Sequence, residues 1–421
     1  MAKHDRSLAR RQARAVMAGL VSGALLAVGT VTVVGTAAHG SAVPSGSSGG
    51  SSRSGGTVRS VDLPGPRPGT ASVHLRKDGV PHFSLIGVTW DEATELVEGR
   101  VRVRAHGTGS GRWTDWTDLG SEQGEEGTTT PRRGGTEPVW VGDSDGIEVS
   151  IDGRTVDSLP TGLRLDLVDP DDETASGTSG TRALATTGDT SPRWEPAAQE
   201  LDPTAPALRS GASATTTTVT QPDITPRSGW EADESLREQT EPNYSSQAPK
   251  VVFVHHTATT SDYACSGSAA IMRSMYSYHV TSLGWRDLGY DFVVDRCGTI
   301  FEGRHGGIER GVIGAHTYGF NTGSTGISVI GTYTDEAPSV QARKAVARLA
   351  AWKLGLAGMS PTGTARLTEG AADSVGFTLG ETYTFQAISG HRDGYDTECP
   401  GQAFYDALPE IRAWAADPAS L

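Results

Sequence analysis

Two textures of hydrophobic patterning divide the chain. From Val58 to about Pro170, short runs alternate apolar and polar residues with a period near two: HFSLIGVTW, RVRVRA, RWTDWTDL, EPVWVG, GIEVSID and LRLDLVD. Gly, Asp and Pro separate these runs, so residues 58–170 predict an antiparallel, all-β, sandwich-like domain. From about Pro222 to Leu421 the texture becomes α/β. KVVFV (250–254) reads as a short buried strand, and SAAIMRSMYSYHV (268–280) as a helix with Ile271, Met275 and Tyr278 on one stripe. DFVVD and TIFEG flank a turn at Arg296-Cys297-Gly298 that suits a hairpin. GISVIGTY (326–333) and FQAIS (385–389) are further strands. PSVQARKAVARLAAWKLGL (338–356) is a long amphipathic helix with Pro338 near its start, and GQAFYDALPEIRAWA closes the chain with another.

Composition adds the connections. Residues 171–221 are rich in Ser, Thr, Gly, Ala and Pro without a sustained period, which predicts a disordered linker. VPSGSSGGSSRSGGT (43–57) is a Gly/Ser tether. Ahead of it, Lys3, Arg6, Arg10, Arg11 and Arg14 precede an uncharged apolar run from Ala15 to about Ala38, followed by small residues in TAAHGSA. Residues 1–42 therefore read as a secretory signal peptide, cleaved near Ala38 or Ala42, with an uncleaved anchoring helix as the alternative. The expected location is outside the cell.

The formal charge of −14 becomes −18 without that segment. Such a balance argues against nucleic acid or an anionic membrane surface as a partner. Within the β-rich segment GDSDG (142–146) reads as a hairpin turn, because the further ligands of a calcium loop are absent. Trp113, Trp116 and Trp140 read as core residues of strands in preference to a glycan-binding face. No His/Cys/Glu constellation is visible in this segment, and its role is unassigned.

The candidate chemistry lies in the α/β half. His391 and Cys399 stand in ISGHRDGYDTECPG, and His255 with His256 in VVFVHHTAT. Two imidazoles and a thiol are what a zinc ion (Zn2+) takes when one coordination position stays open for water. His255 and His256 are adjacent at a strand end, so they point to opposite faces and only one reaches a given ion. Geometry alone does not choose between them. The chain has three cysteines. In an oxidising compartment, a disulfide between Cys265 and Cys297 leaves Cys399 for the metal.

VVFVHHTAT, GWRDLGYDFVVDRCGTIFEGR, GAHTYGFNTGSTGISVIGTY and ISGHRDGYDTECPG follow one another in the order and spacing of a known family. The segment from about Pro222 to Leu421 resembles the peptidoglycan recognition protein and type-2 N-acetylmuramoyl-L-alanine amidase family. The upstream β-rich region resembles the N-terminal extension of secreted actinobacterial members. The resemblance implies a central mixed β-sheet flanked by helices over 222–421. It assigns His255, His391 and Cys399 as zinc ligands and leaves His256 a supporting role. It implies that Tyr290 assists catalysis beside the zinc, that Thr397 steadies an oxyanion, and that His316 and Asn321 line the groove for the stem peptide. After EGR this chain reads HGG, where relatives that discriminate between stem peptides often carry GW or NF.

The expected activity is zinc-dependent hydrolysis of the amide between N-acetylmuramic acid and L-alanine in peptidoglycan, with glycan strand and stem peptide as the partner. Two alternatives remain: a wall-binding protein with an inactive site, and a cysteine peptidase using Cys399 with His391. Family members that bind without cleaving typically lack the cysteine, which favours the enzyme.

Overall fold

The computed structural model describes residues 56–66, 70–122, 132–155, 159–171, 219–372 and 374–417. The expected signal peptide, nearly all of the Gly/Ser tether and most of the 171–221 linker lie outside the described residues. Among the described residues no helix is long and apolar enough to cross a membrane.

The first domain is built from β1 (Thr57–Asp62), β2 (Ser72–Trp90), β3 (Gly99–Gly107), β4 (Arg112–Trp113), β5 (Thr117–Leu119), β6 (Ser121–Glu122), β7 (Gly134–Thr136), β8 (Val139–Gly153) and β9 (Arg164–Asp169). They form one connected sheet in the order β1-β9-β2-β8-β3-β4, with β5 on β3 and β7 bridging β2 to β6. Every pairing in it is antiparallel. Phe83, Ile86, Val88 and Trp90 of β2 close a core with Val101, Val103, Ile147, Val149, Ile151 and Leu165. Two expectations fail here. GDSDG is no hairpin turn: it runs inside β8, where Gly142 at φ +73 and a shifted register absorb the extra residues as an irregularity of one strand. Trp113 and Trp116 are half-buried outside the core, with Arg76 and Arg104 over the Trp113 ring and Arg102 and Arg104 over Trp116.

The second domain comprises β10 (Ile224–Thr225), β11 (Val251–His256), α1 (Ser268–Ser277), β12 (Phe292–Val294), β13 (Ile300–Glu302), β14 (Ser324–Val329), α2 (Val340–Leu356), β15 (Thr364–Thr368), β16 (Thr382–Gln386), β17 (Ile388–Gly390), α3 (His391–Gly394) and α4 (Gln402–Ala416). Its six-stranded sheet has the order β10-β13-β12-β14-β11-β17 and is parallel except for the β12–β13 hairpin. Period-two alternation splits β11 between two cores. Val252 and Val254 pack on α2 and α4, while Val251 and Phe253 meet Phe385 and Leu367 of the β15–β16 hairpin. Helix α2 starts where Ser339 accepts the Ala342 N–H through its side chain, just after Pro338. FQAIS breaks at Ala387, its first part joining β16 and its second the central sheet as β17.

Helix α1 binds the two domains. Leu85 and Val168, paired across β2 and β9, share a core with Ile271, Met272, Met275, Tyr278 and Leu283. The fully buried Tyr278 donates its hydroxyl to the Thr136 carbonyl (2.9 Å), and a Cβ on Gly87 would overlap its ring. Phe83 to Trp90 is therefore buried on both faces, because α1 and the turn after it cover the face a lone sheet would give to water.

The Cys265–Cys297 disulfide is present and ties the turn before α1 to the β12–β13 turn, with Cα atoms 6.3 Å apart. Asp295 shapes that turn: its carboxylate accepts the Cys297 and Thr299 N–H groups and the Ser268 hydroxyl. Replacing both cysteines by Ser is expected to lower stability by about 2–4 kcal/mol, read from the urea midpoint at unchanged slope. A midpoint equal to that of the parent would show that the bridge adds nothing.

Candidate metal centre

Parallel pairing of β11 with β17 fixes the site. Val254 stands opposite Gly390, so His255 and His391 emerge side by side one position further on, with ring centroids 4.4 Å apart. Both leave the carboxyl ends of parallel strands, where α/β sheets open towards ligands. Asp393 accepts the Gly390 N–H and so closes the turn that carries His391. The following loop brings Cys399 back: the Arg392 N–H donates to the Cys399 carbonyl (3.0 Å), and the His256 N–H points at Cys399 Sγ (3.4 Å).

Ligand-type atoms of His255, His391 and Cys399 lie within 4.8 Å of one another, with His255 Nδ1 3.9 Å from Cys399 Sγ. A tetrahedral zinc ion with its usual bond lengths separates N and S ligands by roughly 3.6 Å. His255 Nε2 and His391 Nδ1 are buried without a hydrogen bond, a state that ordinarily costs about 1–3 kcal/mol per group. Cys399 lies outside the disulfide and is 2% exposed. Burial, then the charges of His391, His316 and His256, hold His255 well below the usual histidine range. Burial, with His256 nearby, brings His391 down to about 3. Both rings are thus neutral at physiological pH, the form in which imidazole binds a metal. On donor set, spacing and protonation, the three residues fit zinc.

Tyr290 packs over His255, ring centroids 5.4 Å apart, and is 5% exposed. The preceding Gly289 N–H donates to His279 Nδ1 (3.1 Å), whose ring lies 6.0 Å from Tyr290. Thr397 is half-buried, and its Oγ1 accepts the Cys399 N–H (3.1 Å), holding the thiol's backbone in place. His316 stands 5.3 Å from the His255 ring with its side chain wholly buried, and its Nε2 is 3.6 Å from Asp291. Asn321 is 1% exposed, and its Oδ1 accepts the N–H groups of His316 and Thr317. His316 and Asn321 therefore sit beneath the surface, shaping the turn behind the histidines.

Sequence reasoning missed two residues beside this centre. His279 stands in the sequence only as part of a helical stripe, and Glu137, in the β domain, has a carboxylate oxygen close to His256 and Cys399. Neither belongs to a spacing motif. Asp291, beside His316, and Lys353 are two further buried titratable groups. Burial raises Asp291 to about 6 against the Gly326 N–H, Lys353 and Arg304, and burial lowers Lys353 to about 8 against Asp291 and Glu309. Between about pH 8 and its unfolded value of 10.5, Lys353 has lost its proton in the folded chain while the unfolded chain retains it. Stability from this group should rise with pH across that window, by up to about 3 kcal/mol. Lys353→Met should flatten the rise in urea midpoint between pH 8 and 10, and an identical slope in the variant would refute the shift.

Comparison with known proteins adds the lineage. Residues 245–402 match the N-acetylmuramoyl-L-alanine amidase family. Residues 51–179 match the family described as Rv3811 N-terminal galactose-binding domain-like. Peptidoglycan-recognition protein SC2 of Drosophila melanogaster is 30% identical over 195 residues, spanning 46% of this chain and 86% of that protein. The chain belongs to the peptidoglycan recognition protein and type-2 amidase family. The N-acetylmuramoyl-L-alanine amidase of Homo sapiens is 32% identical over 167 residues, 39% of this chain and 24% of that protein's length. The crystal structure of peptidoglycan recognition protein-LE, in complex with tracheal cytotoxin, is 32% identical over 46% of this chain and 94% of its own, with a TM-score of 0.35. In this chain the family's domain, the mixed sheet with helices described above, follows a galactose-binding-like β domain.

Proposed function

We propose that this family member is an exported, zinc-dependent N-acetylmuramoyl-L-alanine amidase that cuts the amide between the lactyl group of N-acetylmuramic acid and L-alanine. The observation that carries the reading is the convergence of two neutral imidazoles and one thiol at a sheet edge, with a tyrosine over the first imidazole. His255, His391 and Cys399 would hold the zinc. When bound, such an ion polarises an amide carbonyl as a Lewis acid and lowers the pKa of water. Thr397 fixes the Cys399 backbone and His279 fixes the Gly289 N–H before Tyr290, so both flanks of the centre are pre-set. The Tyr290 hydroxyl would donate a hydrogen bond to the carbonyl oxygen as negative charge develops there. Water adds to the carbonyl carbon, the C–N bond breaks, and the L-alanine amine leaves with a proton. His316 and Asn321, buried behind the centre, would act on the stem peptide by shaping the groove floor.

Relatives in this family include recognition proteins as well as amidases. The presence of Cys399 beside both histidines favours the enzyme over a purely binding protein. Digestion of purified peptidoglycan by the full chain should release new amino groups of N-terminal L-alanine with no new reducing ends. New reducing ends would indicate glycosidase chemistry, and neither product would indicate binding alone. Export predicts a mature N-terminus just after residue 38 or 42; an intact N-terminus in the membrane fraction would favour the anchored form.

A further inference from the structure

The strand that supplies His255 also carries His256, and alternation sends the two rings to opposite sides of β11. Cys399 Sγ lies within reach of both rings: 3.9 Å from His255 Nδ1, and within 4.8 Å of a ring nitrogen of His256. On the His256 side a third donor arrives from the other domain. A carboxylate oxygen of Glu137, a ring nitrogen of His256 and Cys399 Sγ all lie within 4.8 Å of one another. We infer that Glu137, His256 and Cys399 form a second divalent-cation site across the domain boundary, sharing the Cys399 thiolate with the first.

Three observations carry this. The donor set of carboxylate, imidazole and thiolate is one that zinc and its neighbours in the first transition row accept. His256 is 7% exposed and its Nδ1 has no hydrogen-bond partner, which is costly in the absence of a ligand. Glu137 is held in place from both domains. Its N–H donates to the Gly120 carbonyl (2.8 Å), the Thr136 carbonyl just before it accepts the Tyr278 hydroxyl, and the Arg133 N–H donates to the Leu283 carbonyl (3.2 Å). Gly134 and Gly135 let this strand lie close, because a Cβ on either would overlap Trp90 or Leu283. The neighbouring Arg392 guanidinium is engaged with the Glu398 and Cys399 carbonyls and with Gln402. A thiolate can bridge two ions, so occupation of one site does not exclude the other. The inference goes beyond the hydrolytic reading, resting with it only on Cys399 being a ligand.

The test is metal stoichiometry of the full chain, stripped and then titrated with zinc under equilibrium dialysis, with Co2+ as the spectroscopic probe. The parent protein is expected to take up two equivalents, the second more weakly. Glu137→Gln and, separately, His256→Gln should each weaken the second equivalent at least about tenfold and leave the first intact. Cys399→Ser should weaken both and reduce the sulfur-to-cobalt charge-transfer band. Uptake of one equivalent by the parent, or a second equivalent indifferent to both Glu137→Gln and His256→Gln, overturns the second site while leaving the first. No uptake at all overturns both readings.

Discussion

Cys399→Ala is expected to reduce zinc affinity on the order of 10³-fold, and His255→Ala and His391→Ala similarly. The magnitude follows from dividing the roughly 10–16 kcal/mol with which proteins hold structural zinc among its ligands. With three protein ligands the proposed site would have no reserve: it offers one thiol, and two imidazoles brought together by the parallel register of Val254 with Gly390. His256→Ala provides the contrast, since strand alternation turns its ring away from the His255–His391 pair and the first equivalent should remain bound. Zinc analysis of the dialysed variants reads the result. Full retention in Cys399→Ala, or loss of the first equivalent in His256→Ala, would refute the ligand assignment.

Tyr290→Phe is expected to lower the turnover number about 10²–10³-fold while zinc content and affinity for peptidoglycan stay at the level of the parent. The substitution removes one hydroxyl and keeps the ring that packs on His255. A hydrogen bond that strengthens only as the carbonyl oxygen becomes negative contributes to turnover and little to binding. A fall in zinc content or a lower unfolding midpoint would instead make Tyr290 a packing residue, and unchanged turnover would remove it from the reaction. Thr397→Ala should give a smaller defect in the same assay. Its hydroxyl already accepts the Cys399 N–H, so part of its role is to place the thiol.

The convergence of His255, His391 and Cys399 was legible in the sequence because they are scarce residue types, two at or just past the ends of well-formed strands and one in the loop that follows. VVFVHH and ISGH each announce a strand running into a histidine, and Cys399 was the cysteine left over once Cys265 and Cys297 paired. The choice between His255 and His256 was not legible from alternation alone; it needs the register that brings His255 beside His391. What the sequence hid depends on tertiary contact. HFSLIGVTW looks like a strand with one wet face, yet α1 covers that face, and no local pattern encodes the second domain. GDSDG has the composition of a turn but continues β8, because β2 and β3 supply partners on both sides. Trp113 and Trp116 follow the alternation of core residues, although arginines from β2 and β3 take the place of a hydrophobic core beside them. Glu137 stands in an ordinary strand-flanking run, and only the docking of β7 on Tyr278 and Leu283 brings it to the cysteine.

The most direct measurement of the central claim is mass analysis of the soluble fragments released from peptidoglycan by the purified full chain, with and without a metal chelator. The account predicts intact stem peptides beginning with L-alanine and glycan strands bearing unsubstituted lactyl carboxylates, both disappearing with chelator and returning with added zinc. Release of these products undiminished under chelation, or by Cys399→Ala at the parent rate, would contradict it.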